Sequence, residues 1–381
     1  MTDFNFDEII ERRSTGSLKW NYYDEDIIPL WVADSDFKCA PAILNAINER
    51  IEHGVLGYQV PSMNESATEA VISWLSRRHD WQVKADWVVW VPGVVTAFNG
   101  VCRAFCEAGD KVLVQVPNYG PLLDAPELNE LIKEPVDTCL ENGRWTLDFD
   151  DLQRKAADPK AKLFILCNPM NPCGSVLTDK ELARIEAICL ENNVLLCSDE
   201  IHCDLILDEE QRHIPAGSLP GIGEQSITIM AASKTFNIAG LASSFVIIPD
   251  KNIRQKFTRT TIAMQLWVNV LGMIATEKAF TECDEWYDAQ LDYLRANRQY
   301  LKDAFNKLEG FDFEPAAATF LAWVDASGLA VNDVHQYMLS KGVGPTSGKD
   351  FGWPKFTRIN FACPRSNLEQ AIERLTNGFN E

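Results

Sequence analysis

Five short stretches of this 381-residue chain end apolar runs in residues able to do chemistry. Lys234 follows ITIMAAS (227–233), between a buried run and the loop TFNIAGLA. Desolvation there would lower the amine's pKa and free it to form a Schiff base. Asp199 interrupts VLLCSDE (194–200), where an acid could hold a ring nitrogen protonated, or else cap a helix or pair in a loop. Glu200 is the rival acid, and because side chains alternate along a strand the two cannot both face one site. Asn171, in CNPMNPCG, presents an amide on a turn stiffened by two prolines. Tyr119, in VPNYGP, could stack on a ring face or pack in a loop. Gly93-Val94-Val95 follows WVVWV (87–91) and enters a helix, so its backbone N–H groups could cradle a phosphate. Together these suit a phosphorylated, planar cofactor with a cationic nitrogen.

The elements that must position these residues are short apolar runs separated by amphipathic stretches. Strands are expected at 87–91, 111–117, 161–169, 194–200, 226–233 and 243–249. Helices are expected from Gly93 to about 107 and from near Thr178 through DKELARIEAICLEN. Runs of five to seven apolar residues between helices indicate a mostly parallel sheet buried on both faces. This gives an α/β domain over roughly 41–275, with ligands expected beyond the carboxyl ends of its strands. Long helical periodicity fills 253–308. Strands at 320–325 and 356–362, with helices near 331–341 and from Ser366, suggest a smaller α+β domain over 276–381. A substrate cleft is expected between the two.

Composition narrows the function classes. The chain is 46% hydrophobic and 24% charged, which excludes a mostly disordered protein. Its formal charge of −20 makes nucleic acid or an anionic membrane surface a poor partner. No apolar run is long enough to span a bilayer. The start MTDFNFDEIIERR carries acids where a signal peptide would carry basic residues. Eleven cysteines lack metal-ligand spacing, and Cys102 and Cys106 read as one helix face rather than half a metal site. A reducing, cytoplasmic setting is expected, with no metal.

At this point the chain resembles a known family. LWVADSDF (30–37), GVLGYQ (54–59), WVPGVVTA (90–97), CNPMNPCG (167–174), SDEIHCDL (198–205), SKTFNIAGLA (233–242) and RINFACPRSNLEQAIERL (358–375) resemble the fold-type I pyridoxal-phosphate (PLP) enzymes. Within them, the closest likeness is to the MalY/PatB-like cystathionine β-lyase, or C–S lyase, branch of the aminotransferase superfamily. The resemblance implies a large domain built on a seven-stranded sheet sandwiched by helices, a smaller α+β domain, and residues 1–40 joining that smaller domain. It implies that Lys234 carries the cofactor as a Schiff base and then moves the substrate's Cα proton. Asp199 would pair with the pyridine nitrogen, Asn171 and His202 with the phenolic oxygen, and Tyr119 would stack on the ring. Val94, Val95 and Ser233 would hold the phosphate, with Tyr58 reaching in from a second subunit of a homodimer. Arg358 would clamp the carboxylate of a small amino-acid substrate, since an inward arginine on an apolar strand needs an anion.

Two positions depart from the family pattern. Position 242 is Ala where aminotransferases of the superfamily carry a phosphate-binding arginine, and Ser35 stands where this branch is expected to have Met. The reaction implied is β-elimination from cystathionine or another cysteine S-conjugate to a thiol, pyruvate and ammonia. Transamination, or a PLP-binding regulatory protein, are the alternatives.

Overall fold

In a computed structural model, residues 4–377 are described. Twelve strands form two sheets among these residues. In chain order they are β1 (Ile28–Leu30), β2 (Val88–Val91), β3 (Lys111–Val116), β4 (Ile132–Glu141), β5 (Arg144–Leu147) and β6 (Ala161–Cys167). Then come β7 (Leu195–Asp199), β8 (Ile227–Met230), β9 (Ser244–Ile247), β10 (Leu321–Asp325), β11 (Val343–Ser347) and β12 (Phe356–Asn360). The larger sheet has the order β2-β9-β8-β7-β6-β3-β4-β5. Strands β8, β7, β6, β3 and β4 run parallel. Because β9 is antiparallel to both β8 and β2, β2 points the same way as the parallel set. The carboxyl ends of β2, β3, β6, β7 and β8 therefore share one rim.

The six strands read from apolar runs are present, with ends trimmed by one to three residues. The seventh, β4, escaped that reading because it is a half-exposed stretch rich in charge and contains Pro135. It folds back through Asn142-Gly143, both at positive φ, into β5, which makes an eighth strand beyond the expected seven. That Asn-Gly pair is a hairpin signal in its own right.

Alternation along the buried strands builds two cores. Val112, Val114, Leu163 and Ile165, all fully buried, pack with Ala97, Phe98 and Val101 of the helix Val94–Phe105. Leu113, Phe164, Leu166 and Leu196 point to the opposite face. Each such side chain contributes on the order of 2 kcal/mol, so the rim stands on strands buried on both faces. The helix Val94–Phe105 starts at Gly93, whose φ of +101° suits only glycine, and ends at extended Cys106. The helix Asp179–Asn192 opens with the full capping box of Thr178 and Glu181.

The smaller sheet has the order β1-β11-β12-β10. Its edge strand β1 and the neighbouring β11 were not read from the sequence, because Pro29, Gly344 and Pro345 disguise both. The last helix, Arg365–Asn377, starts one residue before the expected Ser366.

Candidate active site

Polar groups converge on the rim from both sheets. Lys234, four residues beyond β8, donates from Nζ to the Ala33 carbonyl at 2.6 Å. Burial holds its amine down, to about 8; nearby Asp34 and Asp199 oppose this and Arg358 adds to it. Asp199 ends β7 almost fully buried, and its Oδ1 accepts only the Ile201 N–H, at 3.2 Å. Burial pushes this carboxyl up to about 7, the Ile201 bond and Lys234 pulling the other way while Glu200 adds to the rise. Among the described residues this acid at the rim forms no ion pair.

Glu200 settles the choice between the two acids. It turns to the other face, where Oε2 meets His213 Nε2 at 2.6 Å and Oε1 accepts the Ala216 N–H at 2.8 Å. The loop after β7 is pinned further along by Asp204, which accepts from Trp74 Nε1 at 3.0 Å and meets His79 Nε2 at 2.8 Å. His202 between them is buried with Nδ1 unpartnered. Burial, with Lys234 and Arg358 nearby, lowers its pKa to about 3 and keeps the ring neutral.

Arg358 comes from β12 of the smaller sheet and is 5% exposed. Its Nη1 donates to Asn171 Oδ1 at 2.8 Å, and its Nη2 to the Trp31 carbonyl at 3.0 Å and Thr346 Oγ1 at 3.1 Å. All these acceptors are neutral and Nε has no partner. Burial lowers its pKa to about 10, so a buried guanidinium stands ready for an anion. With its oxygen taken by Arg358, Asn171 has its amide nitrogen left to donate. Tyr119 caps the helix Gly120–Leu128 and is 39% exposed. Its hydroxyl pKa is raised by burial and by Asp199, with Arg358 opposing, so all three share one space.

At the start of the helix Val94–Phe105 no side chain caps the first turn, which leaves the Val94 and Val95 amides to a ligand. Ser233 lies buried beside Lys234. The Gly93 turn is fixed by Ser244, whose Oγ accepts the Gly93 N–H at 3.0 Å and donates to the Val91 carbonyl at 2.9 Å. Ala242, two residues earlier, is exposed and in the left-handed region at φ +46°. Tyr58 is not brought to the rim: it is 99% exposed, on a segment whose nearest aromatic neighbour is Trp267.

The loop 31–37 carries functional groups that reading the residues one by one missed. Its Ala33 carbonyl meets Lys234, and its Asp34 acts on the same amine. Lys19, fully buried, holds it through Asp36 Oδ2 at 2.7 Å and the Asp34 carbonyl at 3.0 Å. Arg12 binds Asp34 and Asp36, Trp20 Nε1 binds Asp36, and Asn360 Nδ2 binds the Val32 and Asp34 carbonyls. Ser35 is buried with its hydroxyl unpartnered. The dense charge of ADSDF was the available signal, but its partners lie elsewhere in the chain.

The pattern of the aminotransferase class I and II family matches residues 25–375. The chain belongs to that family. It is 37% identical over 387 residues to cystathionine beta-lyase PatB of Bacillus subtilis, covering 97% of this chain and 98% of that protein. The solved structure of OvoB superposes with a TM-score of 0.94 at 42% identity, covering 99% of this chain and 100% of that one. Cystalysin from Treponema denticola, solved with a pyridoxal 5'-phosphate cofactor, superposes with a TM-score of 0.94 at 31% identity, covering 99% of each chain. Within the family the chain falls in the MalY/PatB-like C–S lyase branch.

Proposed function

We propose that this protein is a PLP-dependent carbon–sulfur β-lyase that cleaves cystathionine or related cysteine S-conjugates to a thiol, pyruvate and ammonia. One observation carries the reading. A lysine amine softened to about 8 shares this space with a buried carboxyl and a buried guanidinium that form no ion pair among the described residues. The unmatched groups fit PLP and an amino-acid carboxylate: Asp199 for a pyridine N–H, Asn171 Nδ2 for a phenolic oxygen, and the Val94 and Val95 amides with Ser233 for the phosphate. His202 would meet the phenolic side, and Tyr119 would cover a ring face.

When bound, PLP supplies an electron sink for the pair left at Cα. The chain's residues do the rest. Arg358 would hold the substrate carboxylate and so orient the Cα–H bond toward Lys234. Lys234, with about half of its amine neutral at pH 8, would take that proton. Asp199 would pair with the protonated pyridine nitrogen and so keep positive charge where the sink needs it. The thiolate departs from Cβ as a good leaving group. Ala242 leaves the phosphate to amides and hydroxyls, in keeping with a lyase rather than with aminotransferases that place an arginine there.

The reading includes a homodimer in which Tyr58 reaches the partner's phosphate site, supported by the ring's full exposure. It also includes a cytoplasmic location, supported by eleven free cysteines, and no helix among the described residues is long and apolar enough to cross a membrane. The division near residue 40 is supported by the pairing of β1 with β11, whereas residue 275 falls within the helix Val270–Glu282. The test is incubation of the purified holoenzyme with cystathionine, lactate dehydrogenase and NADH. Pyruvate formation that Lys234→Ala abolishes is the expected result. Amino transfer dependent on a keto acid, without pyruvate, overturns the lyase reading in favour of transamination.

A further inference from the structure

Left-handed backbone outside glycine marks one buried residue. Thr319 has a φ of +70° and is 1% exposed. The other non-glycine residues at positive φ among those described are Asp, Glu, Asn, Gln and Ala, and none of them is buried. A β-branched side chain is poorly suited to this conformation, because its two γ atoms crowd the backbone. Such strain persists only where the surroundings over-determine it, and it clusters at functional sites. Thr319 closes no regular turn; it lies in the irregular stretch that leads into β10.

The surroundings here are three pieces of the active site. The Thr319 N–H donates to the Leu205 carbonyl at 2.8 Å, on the loop that carries His202. The Ala318 N–H donates to the Gly174 carbonyl at 2.9 Å, just beyond Asn171. That approach is backbone to backbone: a Cβ on Gly174 would lie 2.7 Å from the Ala318 oxygen. The Phe320 ring stands edge-on to His202 with 6.2 Å between centroids. β10 then starts at Leu321 and pairs with β12, setting Trp323 opposite Arg358. Thr319 is thus the joint between the loops that carry Asn171 and His202 and the sheet that delivers Arg358.

The threonine hydroxyl locks this joint. Its Oγ1 accepts the Leu321 N–H at 3.2 Å, which fixes the bend where the chain enters β10. Glycine would reach the same φ freely, but it would lack that bond and have many other conformations open to it. The contact that depends on the joint is the one that spans the two sheets, Arg358 Nη1 to Asn171 Oδ1 at 2.8 Å. One end rides on β12 and the other on the loop ending at Gly174, and the stretch 318–321 is bonded to both.

We propose that Thr319 is a positioning residue for the carboxylate clamp: its locked left-handed backbone sets Arg358 against Asn171, and with it the place where a substrate carboxylate is held. The proposal rests on the PLP-dependent lyase reading for the ligand that Arg358 binds.

The test uses PLP-loaded protein and two amines, glycine and methylamine, which differ by the carboxylate and carry no leaving group. Their dissociation constants are read from the change in the cofactor's absorbance. Thr319→Gly is expected to weaken glycine about tenfold and to leave methylamine within about twofold, since only glycine uses Arg358. Thr319→Val keeps the shape and loses the hydroxyl; it is expected to lose several-fold on glycine alone, and it decides the matter if Thr319→Gly does not fold. Thr319→Ser keeps the hydroxyl and is expected to match the parent. With cystathionine the loss is expected in KM, with little of it in kcat. Glycine binding that neither Thr319→Gly nor Thr319→Val changes overturns the proposal. Equal weakening of both amines also overturns it, because that is the mark of a merely structural role. A carboxylate-specific loss, in a protein whose parent makes no pyruvate from cystathionine, refutes the lyase reading and upholds the joint. Pyruvate formation by the parent with unchanged glycine binding in both variants does the reverse.

Discussion

Replacing Asp199 with Asn in cofactor-free protein tests whether the rim holds a carboxyl at a cost to stability. The carboxyl titrates at about 7 when folded against 3.8 as its ordinary value, because it is buried without a cation. The folded form thus keeps a proton that the unfolded chain has already released between about pH 4 and pH 7. Stability from this group is highest below pH 4, falls as pH rises through that window, and is fully lost above pH 7. At about 1.4 kcal/mol per unit, the penalty is roughly 2 kcal/mol at pH 5.5 and roughly 4 kcal/mol at pH 8. Asn keeps the shape and can still accept the Ile201 N–H, but has nothing to ionise. Urea unfolding of both cofactor-free proteins should show Asp199→Asn more stable, by about 2 kcal/mol more at pH 8 than at pH 5.5. In the same variant PLP affinity should fall, since the protonated ring loses its counter-ion. A stability difference that does not change with pH, or a less stable variant at pH 8, would refute the account of Asp199.

Other consequences are open to measurement. Lys19→Met strands a buried Asp36 with less than its full set of donors and should cost about 3 kcal/mol in thermal or urea unfolding; a loss under 1 kcal/mol would mean that Arg12 and Trp20 suffice. Ala242→Gly relieves a left-handed alanine and should raise stability by about 0.5–1 kcal/mol, checked by the same assay. Arg358→Lys cannot span Asn171, Trp31 and Thr346 at once, so KM for the amino-acid substrate should rise by about 10- to 100-fold with a smaller change in kcat. Analytical ultracentrifugation should find twice 42.8 kDa, with Tyr58→Phe weakening PLP retention but not assembly; a fully active monomer would remove Tyr58 from the site.

Legibility in the sequence followed burial. β3 and β6 to β9 lie inside the large sheet with apolar neighbours on both faces, so each had to be a mostly apolar run, and β2, at the opposite edge from β5, still buries Trp90 and Val91. β4 and β5 close one edge, where solvent on one side admits Lys133, Glu134 and Pro135, and the pattern dissolves. In the smaller sheet β1 has three residues and a proline, too little to carry any period.

The sequence by itself determined that Lys234, Asp199, Asn171 and Tyr119 end on one rim, since polarity at the end of a buried run is a local property of the chain. It also determined that Asp199 and Glu200 face opposite ways, through strand alternation. Only the tertiary structure decided which acid faces the site, because His213 and Ala216 return later in the chain to claim Glu200. It likewise decided that Asn171 offers its oxygen to Arg358, 187 residues away, and that Lys234 meets a backbone carbonyl 201 residues earlier. A carbonyl is the same in every residue, and the desolvation that tunes Lys234 and Asp199 is a sum over everything packed around them, so neither is written in any local stretch of sequence.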